Sequence, residues 1–78
     1  MEYKERENMP LAMLSFGEKR VIVNLRVKDD MKRHLQDMGF LAGEMVEVVG
    51  ENASGIILLI KGTRVAINKG LASQIYVA

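Results

Sequence analysis

Short blocks of alternating apolar and polar residues fill most of this chain, and a single block keeps a helical period. Val21, Val23 and Leu25 alternate with Ile22, Asn24 and Arg26. The first set is apolar throughout, which predicts a strand with that set turned to the core. Val46 and Val48 flank Glu47 and predict a second strand with one wet side. Residues 56–60, Ile-Ile-Leu-Leu-Ile, are apolar at every position. Either both faces of that strand are covered or one is an apolar patch. Residues 64–68 and 74–77 read as two more strands. Between these blocks lie a polar hairpin loop at 50–55, a tight turn at Lys61-Gly62-Thr63, a break at Asn68-Lys69-Gly70 and a short apolar plug at Leu71-Ala72.

The helical block begins at Asp29 and Asp30, which offer an N-cap and place negative charge at a helix N-terminus. Met31, Leu35 and Met38 follow at i, i+4 and i+7, one face of a helix. Gly39 stands where the chain needs a left-handed residue to stop that helix. With Gly39 at C′, Phe40 is C″ and Leu35 is C3, the two side chains that touch in a Schellman closure. Ahead of all this, Leu11 and Leu14 fit one short helical turn ended by Gly17, and residues 1–10 read as a charged, flexible tail.

About five short strands joined by tight turns, with one helix, predict a mainly β fold. The specific expectation is an SH3-like small β-barrel, with the helix inserted between strands one and two and covering an open end. The chain has 78 residues, so residues 11–78 form one domain. A domain this small buries only ~60% of its unfolded surface. Without cysteine, no disulfide or thiolate metal site reinforces it. The net charge is +1, with acids and bases interspersed, which argues against a clustered nucleic-acid face. No apolar run approaches the ~18 residues of a membrane span, and no leader pattern opens the chain, so the expected location is the cytoplasm.

The residues that carry chemistry are few. With one histidine, no cysteine and three serines lacking a nucleophile context, the chain does not read as an enzyme. His34 has Asp30 at i−4 and Asp37 at i+3, a weak candidate set for Fe2+ or another divalent ion. A stable site wants three or four convergent ligands, so a core-flanking histidine is the simpler reading. The six methionines are unclustered and read as gap-fillers. The glycines form no phosphate loop. Ile57 and Leu59, on the second face of the doubly apolar strand, are the candidate partner-binding residues, because exposed apolar area usually means a protein partner.

One further pattern unites these pieces. Leu11-x-x-Leu14-x-x-Gly17, then Leu35-x-Asp37-Met38-Gly39-Phe40-x-x-Gly43, then Val46-x-Val48, Gly62 before Val65-x-Ile67, and Leu71-Ala72-x-x-Ile75-x-Val77 together resemble the ferrous iron transport protein A family, the FeoA-like SH3-like barrels. Asp37-Met38-Gly39-Phe40-x-x-Gly43 is the most specific piece. His34 stands where members often carry arginine, and Ser54-Gly55-Ile56 where they often carry a Gly-Pro-like element. The resemblance implies a small cytoplasmic accessory of ferrous iron uptake. Such a protein would dock on the GTP-binding cytoplasmic part of the ferrous iron permease, without catalytic residues. A nucleic-acid-binding or a metal-sensing small barrel is the alternative. Self-association stays open.

Overall fold

A computed structural model describes residues 8–78. Six strands run in the order β1-β6-β2-β3-β4-β5 across one antiparallel sheet. Their ranges are β1 Met9–Pro10, β2 Lys19–Leu25, β3 Met45–Asn52, β4 Gly55–Ile60, β5 Thr63–Asn68 and β6 Ile75–Val77. A 3-10 turn covers Leu11–Met13. Helix α1 spans Asp29–Asp37 and the short α2 spans Lys69–Ala72. The class is the expected mainly β one, as a sheet curled around its core whose two edge strands are not ladder partners. The two-residue β1 adds a strand to the expected five, so α1 connects the first two long strands, β2 and β3. Met9 and Pro10, at the end of the segment expected as a tail, pair with Val77 and Tyr76. Residues 1–7 of that segment lie outside the described residues.

Two bulges bend the sheet. Between the Ile22–Val77 and Asn24–Tyr76 pairs, Val23 is an extra residue on β2. Between Val48–Leu58 and Gly50–Ile57, Val49 is an extra residue on β3. A bulge breaks the two-residue alternation and increases local twist. This overturns the expected face of β2: Ile22 and Leu25 are buried, while Val23 is exposed and Val21 only half-buried. The core is otherwise assembled from alternate residues of the remaining strands. Val46, Val48, Ile56, Leu58, Ile60, Ile67, Ile75 and Val77 pack with Leu11, Leu14, Leu35, Phe40 and Ala72.

Helix α1 is capped differently at its two ends. Lys28, not an aspartate, is the N-cap residue, and its side chain makes no capping bond. Asp29 and Asp30 lie inside the first turn and act only through the helix dipole, at about 0.3–1 kcal/mol each. At the other end the Schellman closure forms as expected. The Phe40 N–H donates to the Leu35 carbonyl at 2.9 Å and the Gly39 N–H to the Gln36 carbonyl at 3.0 Å. Gly39 has φ +108°, and Leu35 and Phe40 are both fully buried. Met38 packs against the core, whereas Met31, one turn before Leu35, is exposed.

Space does not forbid a side chain at Gly39, since an added Cβ would meet Lys61 and Ile60 atoms no nearer than 3.7 Å. Backbone conformation is the obstacle. Gly39→Asn is expected to cost ~1 kcal/mol and Gly39→Val ~2 kcal/mol or more, because β-branching is least tolerant of positive φ. Urea midpoints of the two variants check this, and equal midpoints contradict it.

The turns also resolve more sharply than the composition suggested. The polar segment 50–55 is mostly strand, and its loop is only Ala53-Ser54. Asn52 Oδ1 accepts from the Ser54 and Gly55 N–H groups at 2.9 and 3.1 Å, the side-chain chemistry that favours asparagine at the first turn position. The β4–β5 hairpin turns on Lys61 and Gly62, both at positive φ (51° and 77°), as a primed two-residue turn requires. The break at Asn68 becomes α2, capped by Asn68 Oδ1 accepting from the Leu71 N–H at 2.7 Å.

Candidate partner-binding face

The outer face of the sheet is built from the strand positions that do not enter the core. Ladder register places Lys19, Glu47, Leu59 and Arg64 in one row across β2, β3, β4 and β5. Val21 and Met45 form a neighbouring row, and Gly50, Ile57 and Ala66 a third. Ile57 and Leu59 therefore do share the second face of β4. They are half-buried rather than fully open. Leu59 lies between Glu47 and Arg64. Ile57 lies against Gly50, with its Cδ1 3.7 Å from where a Cβ of that residue would stand.

The most exposed apolar side chains lie elsewhere. Phe16 is 76% exposed, Met13 65% and Met45 52%. In the 3-10 turn Leu11 and Leu14 take the core side, which leaves Met13 outward. Phe16 stands at the tip of the turn at 15–18, where Gly17 has φ +88° and the Glu18 N–H donates to the Ser15 carbonyl at 3.0 Å. That turn is fastened to β3 by Gly17 N–H to Val48 O at 2.8 Å and Val48 N–H to Glu18 O at 3.1 Å. An aromatic at the tip of such a fastened turn has no route into the core. The signal in the sequence is an aromatic directly before a turn glycine, Phe16-Gly17.

Glu18 closes the turn from within. Its Oε1 accepts from the Ser15 N–H at 2.6 Å, and its Oε2 takes Arg20 Nη2 at 3.3 Å. The Ser15 bond, then the Arg20 guanidinium, hold its carboxyl below the usual carboxylate range. A depressed folded-state value means that this contribution is complete above the unfolded value and is lost as pH falls through the folded one. The Glu18 carboxyl is thus expected to titrate below a free glutamate by NMR. Protonation should lower the exchange protection factor of the Ser15 amide. A titration midpoint at the free value contradicts the clasp.

Asp30, His34 and Asp37 are all exposed on α1. Among the described residues no three histidine, cysteine, aspartate or glutamate side chains gather where a metal ion could be held. The three candidates share a helix without forming a cluster. His34 projects to solvent and does not flank the core. Among the described residues no helix is long and apolar enough to cross a membrane.

Comparison with known proteins places these features. A solved structure of the iron uptake regulatory protein FeoA is 31% identical, covering 90% of this chain and 93% of that one, with a TM-score of 0.79. FeoA of Stenotrophomonas maltophilia, an SH3 domain protein complexed with zinc, is 26% identical over 90% of this chain and 89% of that one, with a TM-score of 0.73. A manganese-dependent transcriptional repressor shares the fold at 18% identity and a TM-score of 0.82, with this chain matching 41% of its length. Comparison with curated proteins finds no match. The FeoA domain family model matches residues 9–78, from β1 through β6, and with the SH3-like sheet and its Gly39–Phe40 helix stop this chain belongs to the FeoA domain family, which is linked to ferrous iron transport.

Proposed function

We propose that this domain is a non-enzymatic accessory of ferrous iron uptake that works in the cytoplasm by binding the GTP-binding cytoplasmic domain of the ferrous iron permease. Family membership supports the iron uptake setting. The observation that supports binding as the activity is the set of apolar side chains held outward on fastened backbone. Phe16 is presented on a turn tied to β3, and Leu59 and Met45 lie on the outer face of the same sheet. Rigid apolar anchors carry a disproportionate share of interface energy, because little conformational entropy is lost when they bind.

Affinity for the isolated cytoplasmic domain of the permease tests this reading, measured with Phe16→Asp and Leu59→Asp. Each substitution is expected to weaken binding by about tenfold or more while circular dichroism stays unchanged. Wild-type affinity in both variants, or absence of binding by the unaltered protein, overturns it.

A further inference from the structure

Among the described residues no strand pairs with the outer edge of β5. The hairpin turn at Lys61-Gly62 makes Ile60–Thr63 a hydrogen-bonded pair, and pairing then alternates, so Leu58–Val65 and Ile56–Ile67 are bonded as well. The far end of β4 agrees, because the Gly55 N–H is directed to Asn52 on β3 and not to β5. The N–H and C=O groups of Arg64 and Ala66 therefore point away from β4. Among the described residues none of these groups has a backbone or side-chain partner outside the β4–β5 ladder. Both residues are exposed. Side chains alternate along the edge as well: Arg64 and Ala66 lie on the outer face, Val65 and Ile67 on the core face.

Charge selects what can pair there. Arg64 is the one charged side chain on β5 itself; Lys61 in the turn is ion-paired with Glu44 at 3.5 Å, and Asp37 of α1 lines the cleft beside Thr63 and Val65. An exposed arginine on the outer face of the edge favours an acidic residue opposite it. We propose that the outer edge of β5 is a strand-addition site that takes an extended protein segment of alternating acidic and apolar residues, the acids beside Arg64 and the apolar residues beside Val65. Main-chain bonds to Arg64 and Ala66 supply the pairing, and the alternation supplies the selectivity. The inference rests on the partner-binding reading above and assigns it a docking edge.

A short synthetic peptide of alternating glutamate and valine is the probe, followed by amide hydrogen exchange. Its addition is expected to slow exchange at Arg64 and Ala66 more than at any other amide. Ala66→Pro removes one outward N–H and no β4 bond, a substitution that edge strands tolerate, and should abolish the effect. Arg64→Glu leaves the backbone intact and should weaken the peptide by about tenfold or more. Protection confined to other strands overturns the proposal. So does unchanged peptide affinity in Arg64→Glu, or a self-association that Ala66→Pro abolishes while no peptide binds. Affinity for the permease domain separates the two claims. If the unaltered protein and Arg64→Glu bind it equally, the partner reading stands and this edge is excluded as its dock. If neither binds it, the partner reading falls, and the peptide experiment alone decides the edge.

Discussion

Gly55→Ala is expected to destabilise the domain by ~3 kcal/mol or more, which would leave a chain of this size largely unfolded at modest urea concentrations. A Cβ built at Gly55 falls 2.0 Å from the Ile67 carbonyl oxygen and 2.7 Å from the Asn68 Cα. Both obstacles are backbone of β5, so no side-chain rotation relieves them. Two costs would add. Moving β5 away breaks the Ile56–Ile67 pair, and it disturbs the Asn68 cap of α2. Gly70→Ala is the control. Its added Cβ meets only the Asn68 side-chain oxygen, at 3.3 Å, and it should cost far less. Urea denaturation of the two variants decides the matter, and similar midpoints would mean that β4 and β5 are not packed as closely as described.

Phe40→Ala should cost ~3–5 kcal/mol by the usual sum of lost transfer energy and residual cavity. Phe40 is the largest of the fully buried side chains. It also carries the N–H that donates to the Leu35 carbonyl, so its ring and its amide anchor the helix end to the core together. The helix-specific part of the loss is measurable separately. In Phe40→Leu the ring is lost but an apolar C″ residue remains, and α1 amides should keep most of their exchange protection. In Phe40→Ala the amides of residues 35–38 should exchange much faster. Equal protection in both would show that the clasp contributes nothing beyond burial.

The parts of this fold legible in the sequence are those whose causes are local. Leu35, Gly39 and Phe40 lie within one turn of each other, so spacing alone gave the helix stop and its bond pattern. Val46, Val48 and the β4 core positions followed from alternation. The side of β2 was not legible, because a bulge at Val23 depends on how β6 lies alongside it, and β6 is about fifty residues away in sequence. The 50–55 segment looks like a loop by composition, yet Gly50, Glu51 and Asn52 pair with β4 and the loop is only Ala53-Ser54, with Asn52 supplying the turn chemistry. Ile57 and Leu59 share the outer face of β4. Their half-burial depends on Gly50, Glu47 and Arg64 across the ladder, which no reading of one strand supplies. The aspartates and His34 on α1 show the converse limit: helical spacing brings residues to one side without making their side chains converge.

The position of β6 sets when this sheet can be completed. Ile75–Val77 lies between β1 and β2, and Ile75 and Val77 are fully buried there. A ribosome that has released the chain as far as Gln74 has emitted five of the six strands without the one that joins β1 to β2. The β3–β4–β5 hairpins can form early from near neighbours, but closure waits for a contact between distant parts of the chain. Such long-range pairing slows folding and leaves β2 with an unpaired side in the nascent chain. Completion therefore waits for β6 to emerge, and the interval before it is when this small domain is most exposed to aggregation.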